Sequence, residues 1–418
     1  MKPFNTFAGA LLASAFFAGA ALAQTELTMW YHGAGNDNEM KLVNEMLDEF
    51  NASQSDWKVV ITAFPQGAYN DSVVAGALAG TLPDIIDIDG PILPNWAWAG
   101  YIQPLAIDET LIKDYLPGPK GVWDGKLYGI GMWDAAVSLV TRQSYLDELK
   151  LRTPTLDQPW TAEEFQAALD AAKASGKFEY PLDLGMAWTG EWYPYAFSPF
   201  LQSFGGDMVD RTTYKTAEGA LNGDAALAFG NWWQGLFKNG YAQATQDPAD
   251  RDGGFAAGKY AFSWNGNWAA LGALEAFDDV LFLPAPDFGN GSKIGAASWQ
   301  LSISATSKHP DGANAFINFA LRPENLARFS KGLGLIPATA AAAEMTDNYK
   351  AGGPLAVFYD LSSRQGLLRP VTPGYPVMAK VFEKALADIA NGADVAATLD
   401  AAVDEINADI EKNGGYGH

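Results

Sequence analysis

Near the start of the chain, short unbroken apolar runs alternate with stretches of helical spacing, and this rhythm constrains the fold more than any other feature. Residues 27–31 form one such run, residues 57–64 a second and residues 84–88 a third. Between the first two, Met40, Val43, Leu47 and Phe50 recur at helical spacing, and a further helix is expected over 71–79. None of the runs alternates polar with apolar residues. That predicts parallel strands buried on both faces and covered by the intervening helices. Ligands of such sheets gather where loops leave the carboxyl ends of the strands, here residues 32–38, 65–69 and 89–95.

The same α/β pattern continues along the chain. Strands are expected at 136–140, 260–264 and 280–283, and helices over 161–175, 224–239, 311–321, 323–331 and 376–391. With 418 residues there is room for two or three domains, and 48% apolar residues supply a large core. No internal repeat or low-complexity linker separates the halves. Two lobes joined by several chain crossings fit that better than two independent units.

Composition removes most chemistry. Lys and Arg number 27 against 49 Asp and Glu, a formal charge of −22, which argues against nucleic acid or anionic lipid as partners. Cysteine is absent, so disulfides, thiol nucleophiles, iron–sulfur clusters and zinc–thiolate sites are excluded together. The histidines are His32, His309 and His418, with no metal-ligand spacing among them. No metal or cofactor is expected. At the amino end, Lys2, an apolar run over 7–17 and Ala21-Leu22-Ala23 read as a secretory signal peptide over residues 1–23. The mature chain is expected to start near Gln24 and, with no cysteine there to carry lipid, to be a free periplasmic monomer.

Enzyme motifs are weak. Gly253-Gly254-Phe255-Ala256-Ala257-Gly258-Lys259-Tyr260 imitates a phosphate-binding loop, but Tyr260 stands where a magnesium-holding Ser or Thr is needed, and a strand follows instead of a helix. No Gly-x-Ser-x-Gly elbow and no His-Glu-x-x-His occurs. A secreted glycosidase needs only two carboxylates flanking a sugar, which Asp89, Asp134 and Glu191 could supply.

Aromatic surface is in excess, with 14 Trp, 16 Tyr and 23 Phe. Trp232-Trp233 lies in an expected helix and reads as packing. Trp96, Trp98, Trp188, Trp192, Tyr193, Trp268 and Trp299 fall in expected loops beside Gly, Asn or acidic residues. An indole in a cleft offers a flat apolar face to a sugar ring, while nearby Asp, Glu, Asn and Arg side chains pair with its hydroxyls.

At this point the chain resembles a known family. Leu82-Pro83-Asp84-Ile85-Ile86-Asp87, followed by Trp98-Ala99-Gly100-Tyr101-Ile102-Gln103-Pro104-Leu105, is similar to the extracellular solute-binding proteins of family 1, the maltose-binding-like group. Trp123-Asp124-Gly125-Lys126-Leu127-Tyr128-Gly129-Ile130 resembles the segment that leads into the family's first crossover. Phe255-Ala256-Ala257-Gly258-Lys259-Tyr260-Ala261-Phe262 with Asn265-Gly266-Asn267-Trp268 resembles its F-x-x-G-K-x-A-M…G-x-W signature, which also accounts for the false phosphate loop.

The resemblance implies an α/β, two-lobed periplasmic-binding-protein fold whose ligand cleft lies between lobes joined by crossing hinge strands. It places residues 24–133 and 282–332 in the amino-terminal lobe, and 134–281 and 333–418 in the carboxyl-terminal lobe. It implies a binding protein of an ABC importer, not an enzyme, with membrane permease subunits as partners. The ligand would be a disaccharide, oligosaccharide or glycoside, with a non-sugar or anionic sugar as the alternative. The ligand-binding residues it implies are His32, Asp89, Asp134, Thr189, Glu191, Trp192, Asn265, Trp268, Trp299 and Arg364. Trp268 is the expected stacking platform.

Overall fold

Strand Thr25–Tyr31 pairs in parallel with Trp57–Ala63 on one side and with Ile85–Asp89 on the other, as the alternating rhythm predicts. The computed structural model describes residues 24–250 and 253–417; the expected signal peptide lies outside them. Two helices cover the strands. Asp37–Ser53 starts at Asn36, whose side chain accepts a hydrogen bond from the Glu39 amide, and it buries Val43, Met46, Leu47 and Phe50. Gln66–Ala79 begins earlier than expected, so most of the loop expected at 65–69 is helical. It ends at Gly80 in the left-handed region, φ 69°.

The first sheet is mixed rather than wholly parallel. Trp299–Ser304 inserts antiparallel between Ile85–Asp89 and Lys126–Ile130. This strand arrives from the other sheet instead of through a helical crossover, so nothing requires it to run parallel. The second sheet is built on the long strand Trp133–Arg142, which pairs antiparallel with Tyr260–Gly266, Val280–Leu283, Ile294–Ala297 and Ile336–Pro337. Tyr180–Asp183 and Gly366–Leu367 extend it in parallel. Each sheet has its own core: Leu27, Met29, Phe50, Phe316 and Phe329 in one, Trp160, Phe197, Phe229, Trp233 and Trp264 in the other.

The chain changes sheet three times, at residues 130–133, 297–299 and 333–336. These crossings pack tightly. The Ser298 hydroxyl donates to the Trp133 carbonyl, and a Cβ at Gly131 would fall 2.2 Å from Ser298 Oγ, so only glycine fits there. The third crossing is pinned by Asn267, fully buried, whose Oδ1 accepts from the Ala136 amide (2.9 Å) and whose Nδ2 donates to the Gly334 carbonyl (3.0 Å). The expected lobe boundary at 282 falls inside Val280–Leu283, which pairs with residues 139–142 of the second sheet.

Several aromatics expected in loops belong to regular elements. Trp96 and Trp98 lie in helix Leu93–Trp98, with Trp96 in the core and Trp98 exposed. Trp192 and Tyr193 open helix Trp192–Phe204, in which every residue but Phe204 is buried. Pro199 in its interior speaks against a helix in the sequence, because proline removes a backbone donor there. The false phosphate loop runs through turns into Tyr260–Gly266, and its Lys259 is held by Asp250 at 2.7 Å.

Candidate functional site

The carboxyl ends of the first sheet face the start of helix Trp192–Phe204 and the segment after Gly366–Leu367, and a single cation joins them. Arg369 is 5% exposed. Its Nη2 lies 3.8 Å from Asp89 Oδ1, at the end of Ile85–Asp89. Its Nε lies 2.8 Å from Glu191 Oε1, close enough for an ion pair but not aligned as a hydrogen bond. The guanidinium also sits over the Tyr195 ring, 4.9 Å from its centroid. Buried Tyr375, opening helix Tyr375–Ala390, donates its hydroxyl to Glu191.

The charges here are mutually dependent. Burial pushes the Asp89 carboxyl above its ordinary value, and Arg369 pulls it back. Burial likewise pushes Glu191 up to about 8 against the pull of Arg369, with the like charge of Asp89 adding to the rise. For Arg369 burial acts downward, yet Glu191, Tyr375 and Asp89 together hold it above the usual arginine value. One cation thus serves two crowded carboxylates.

Aromatic faces flank the ion pairs. Trp299 is the register partner of Asp89 across the first sheet and stacks on His32, centroids 3.7 Å apart and planes 9° apart. On the other side Trp268 meets Trp192 edge to face at 6.1 Å and Tyr195 at 6.0 Å, and Trp188 lies 6.3 Å from Trp192. Trp268 folds back over Gly266, where a Cβ would fall 2.1 Å from the indole. The Trp268 Nε1 and the Tyr195 hydroxyl are buried without a hydrogen-bond partner among the described residues. Beside Arg369 lies a cavity of about 120 Å³, lined in part by Gly90, Gly121, Gln300 and Pro370.

Of the ten residues expected to bind ligand, His32, Asp89, Glu191, Trp192, Trp268 and Trp299 belong to this constellation. His32 is buried beneath Trp299 rather than facing the cleft, 5% exposed and held by Asp87 and Glu39. Asp134 is wholly buried in the crossing strand, accepting from Ser362 and from the Ala135 amide. Asn265 is half-buried and caps the Gly266 amide at 2.8 Å. Thr189 is exposed on the loop before Glu191, where Gly190 donates to Glu383. Arg364 is a correction: it lies in helix Ala356–Gln365, half exposed and paired with exposed Asp157 rather than with these groups. The guanidinium among them is that of Arg369.

Sequence reasoning missed Arg369, Tyr195, Tyr375 and Asn267. The acids Asp87 and Asp89, set in an otherwise apolar run, were the available signal that buried cations oppose that strand. Among the described residues no group of three or more His, Asp and Glu side chains could hold a metal ion, and no helix is long and apolar enough to cross a membrane.

Comparison with known proteins follows the same lines. A family model for bacterial extracellular solute-binding proteins matches residues 45–356. A lipoprotein encoded in the oleD 5′ region of Streptomyces antibioticus is 27% identical over 318 residues, covering 73% of this chain and 68% of that one. The maltodextrin-binding protein MdxE of Bacillus subtilis is 24% identical over 280 residues, covering 64% of this chain and 63% of its own length. The cyclic α-maltosyl-1,6-maltose binding protein of Arthrobacter globiformis superposes with a TM-score of 0.76 at 23% identity, covering 93% of this chain and all of that one.

Proposed function

Because the chain belongs to the bacterial extracellular solute-binding protein family, we propose that it is the binding component of an ABC importer and captures a carbohydrate between its two halves. The observation that carries this reading is the set of indole and phenol faces around Arg369, together with the orphaned polar atoms of Trp268 and Tyr195. Flat apolar faces match the C–H surface of a pyranose, and buried donors beside them match its hydroxyls. The sugars named for the Bacillus and Arthrobacter proteins support a ligand of more than one ring.

In this reading the lobes divide where the chain changes sheet, and Asp89 and Trp299 contribute from one lobe while Glu191, Trp268 and Arg369 contribute from the other. A ligand touching both sides favours the closed arrangement by its differential affinity for it, and the closed surface is what permease subunits recognise. We read the protein as a binder rather than a glycosidase because Asp89 and Glu191 share Arg369 instead of flanking an open space. Release into the periplasm without a lipid anchor completes the proposal; mass spectrometry of the exported protein should find a start near Gln24 with no lipid adduct.

A thermal-shift screen against linear and cyclic maltodextrins and free hexoses tests the central claim. At about 100 times its dissociation constant a ligand stabilises by about 2.7 kcal/mol. A raised Tm with the oligosaccharide left intact supports capture. Hydrolysis of the sugar, or no shift across the panel, overturns it.

A further inference from the structure

The geometry points to His32, in its protonated form, as the positioning residue that seats the Trp299 indole in the cleft. The imidazole is buried directly beneath Trp299, nearly parallel to the indole at 3.7 Å between centroids. A ring this close and this nearly coplanar fixes the tilt of the indole above it, and a positive ring is drawn to the π face more strongly than a neutral one.

Every element around the imidazole presents either an acid or an aromatic ring. Strand Ile85–Asp89 supplies Asp87 against Nδ1, and Asp89 lies two residues further along the same strand. Helix Asp37–Ser53 supplies Glu39, whose Oε1 is 3.4 Å from Nε2. Tyr31 donates its hydroxyl to the same Glu39 oxygen at 2.6 Å, Asn36 Nδ2 donates to Oε2 at 2.9 Å, and Tyr69 approaches edge-on at 6.5 Å. Asp89 is itself paired with Arg369, whose Nη2 lies 3.8 Å from its Oδ1. A neutral ring has one N–H and would turn a lone pair toward one of the two carboxylates, whereas an imidazolium is attracted to both. Burial alone would lower the affinity of His32 for its proton, but Asp87 and Glu39 outweigh it and hold the pKa above 6.5.

Losing the proton therefore sets Nε2 against Glu39 and weakens the attraction to Trp299 in one step. Because Trp299 is the register partner of Asp89, a shift of the indole is felt beside the Arg369 ion pairs. The histidine acts through the tryptophan and touches no ligand itself.

Reciprocity supplies a test that needs no ligand. If the imidazolium favours the stack, removing the indole must weaken the hold on the proton. The sequence contains three histidines, so carbon-13 NMR of protein labelled at histidine Cε1 follows His32 directly. In the wild type His32 should titrate above 6.5, and in Trp299→Leu its midpoint should fall by about half a pH unit or more. Trp299→Phe, which keeps an aromatic face, should restore most of that fall. An unchanged midpoint in Trp299→Leu, or titration below 6.5 in the wild type, overturns the inference. A second arm rests on the carbohydrate reading and uses maltotriose: calorimetric affinity should fall severalfold from pH 6 to pH 9, and His32→Gln should flatten the profile. Binding of equal strength across that range in the wild type also overturns it. Absence of maltotriose binding at every pH counts against the sugar reading, while the NMR midpoints still decide the role of His32.

Discussion

Arg369 and Glu191 meet at 2.8 Å, and the same guanidinium reaches Asp89 from the other sheet at 3.8 Å, so one buried cation balances carboxylates from both halves of the molecule. Removing it strands both acids. Arg369→Met is expected to cost about 1–3 kcal/mol in urea unfolding, less than breaking a wholly buried pair, because the Glu191 side chain stays 30% exposed and can take up a proton. Adding Asp89→Asn and Glu191→Gln to the same protein should recover much of that loss, because no charge is then left uncompensated. A triple variant no more stable than Arg369→Met would show that shape rather than charge holds this site.

The pH dependence of stability follows from the same cluster. Glu191 is raised by burial from an ordinary 4.5 to about 8, and Asp87 and Asp89 are raised by the same cause. An acid with a higher pKa in the folded state binds its proton more tightly there. Its contribution to stability therefore declines as pH rises, for Glu191 between about 4.5 and about 8. His32 acts in the same direction: its stabilisation is complete below 6.5 and fades as pH rises through its higher folded value. The paired carboxylates Glu164 and Asp279, lowered to about 2, lose their contribution only in stronger acid. Calorimetry is expected to give a higher Tm at pH 6 than at pH 8, with a smaller difference in Glu191→Gln. A Tm that climbs over this interval would contradict the assignment.

The contrast between two arginines shows how far local sequence carries. Arg364 lies in the last turn of helix Ala356–Gln365, which is not among the helices expected from the sequence, and Arg369 sits in Leu368-Arg369-Pro370, which has no periodic signature. What distinguishes them is opposition: Arg369 faces Asp89 and Glu191, brought near only when the sheets assemble, and five residues earlier the chain still runs along the surface. The β/α rhythm of the first ninety or so residues was legible because periodicity is local. The antiparallel insertion of Trp299–Ser304 was not, since strand direction is set by the crossing that precedes it. Trp192 is expected in a loop and found in a helix that carries a proline in its interior. The depth of His32 is not legible, since it depends on Asp87 and Glu39 lying against its nitrogens.

Arg364→Ala provides the matching control. Its partner Asp157 is 79% exposed at the side chain and Arg364 itself 49%, so the pair is screened by water. Loss of stability should stay below about 1 kcal/mol, and sugar affinity should not change. A large affinity loss would move Arg364 back among the ligand contacts.

Trp268 is open to two separate perturbations. Trp268→Ala removes an indole that meets Trp192 and Tyr195. At least a tenfold loss of sugar affinity is expected, about 1.4 kcal/mol, with the fold retained. Gly266→Ala keeps the indole but displaces it, since the added Cβ would fall 2.1 Å from the ring. Such overpacking costs about 1–3 kcal/mol of folding stability. If the indole is the stacking platform, both variants should lose affinity, measured by calorimetric titration, although they alter stability by different routes. If it is only packing, Gly266→Ala should lower the Tm while binding stays within twofold of wild type, and Trp268→Ala should behave alike. The discriminating quantity is thus the ratio of affinity loss to Tm loss across the pair, because a core tryptophan changes only the second.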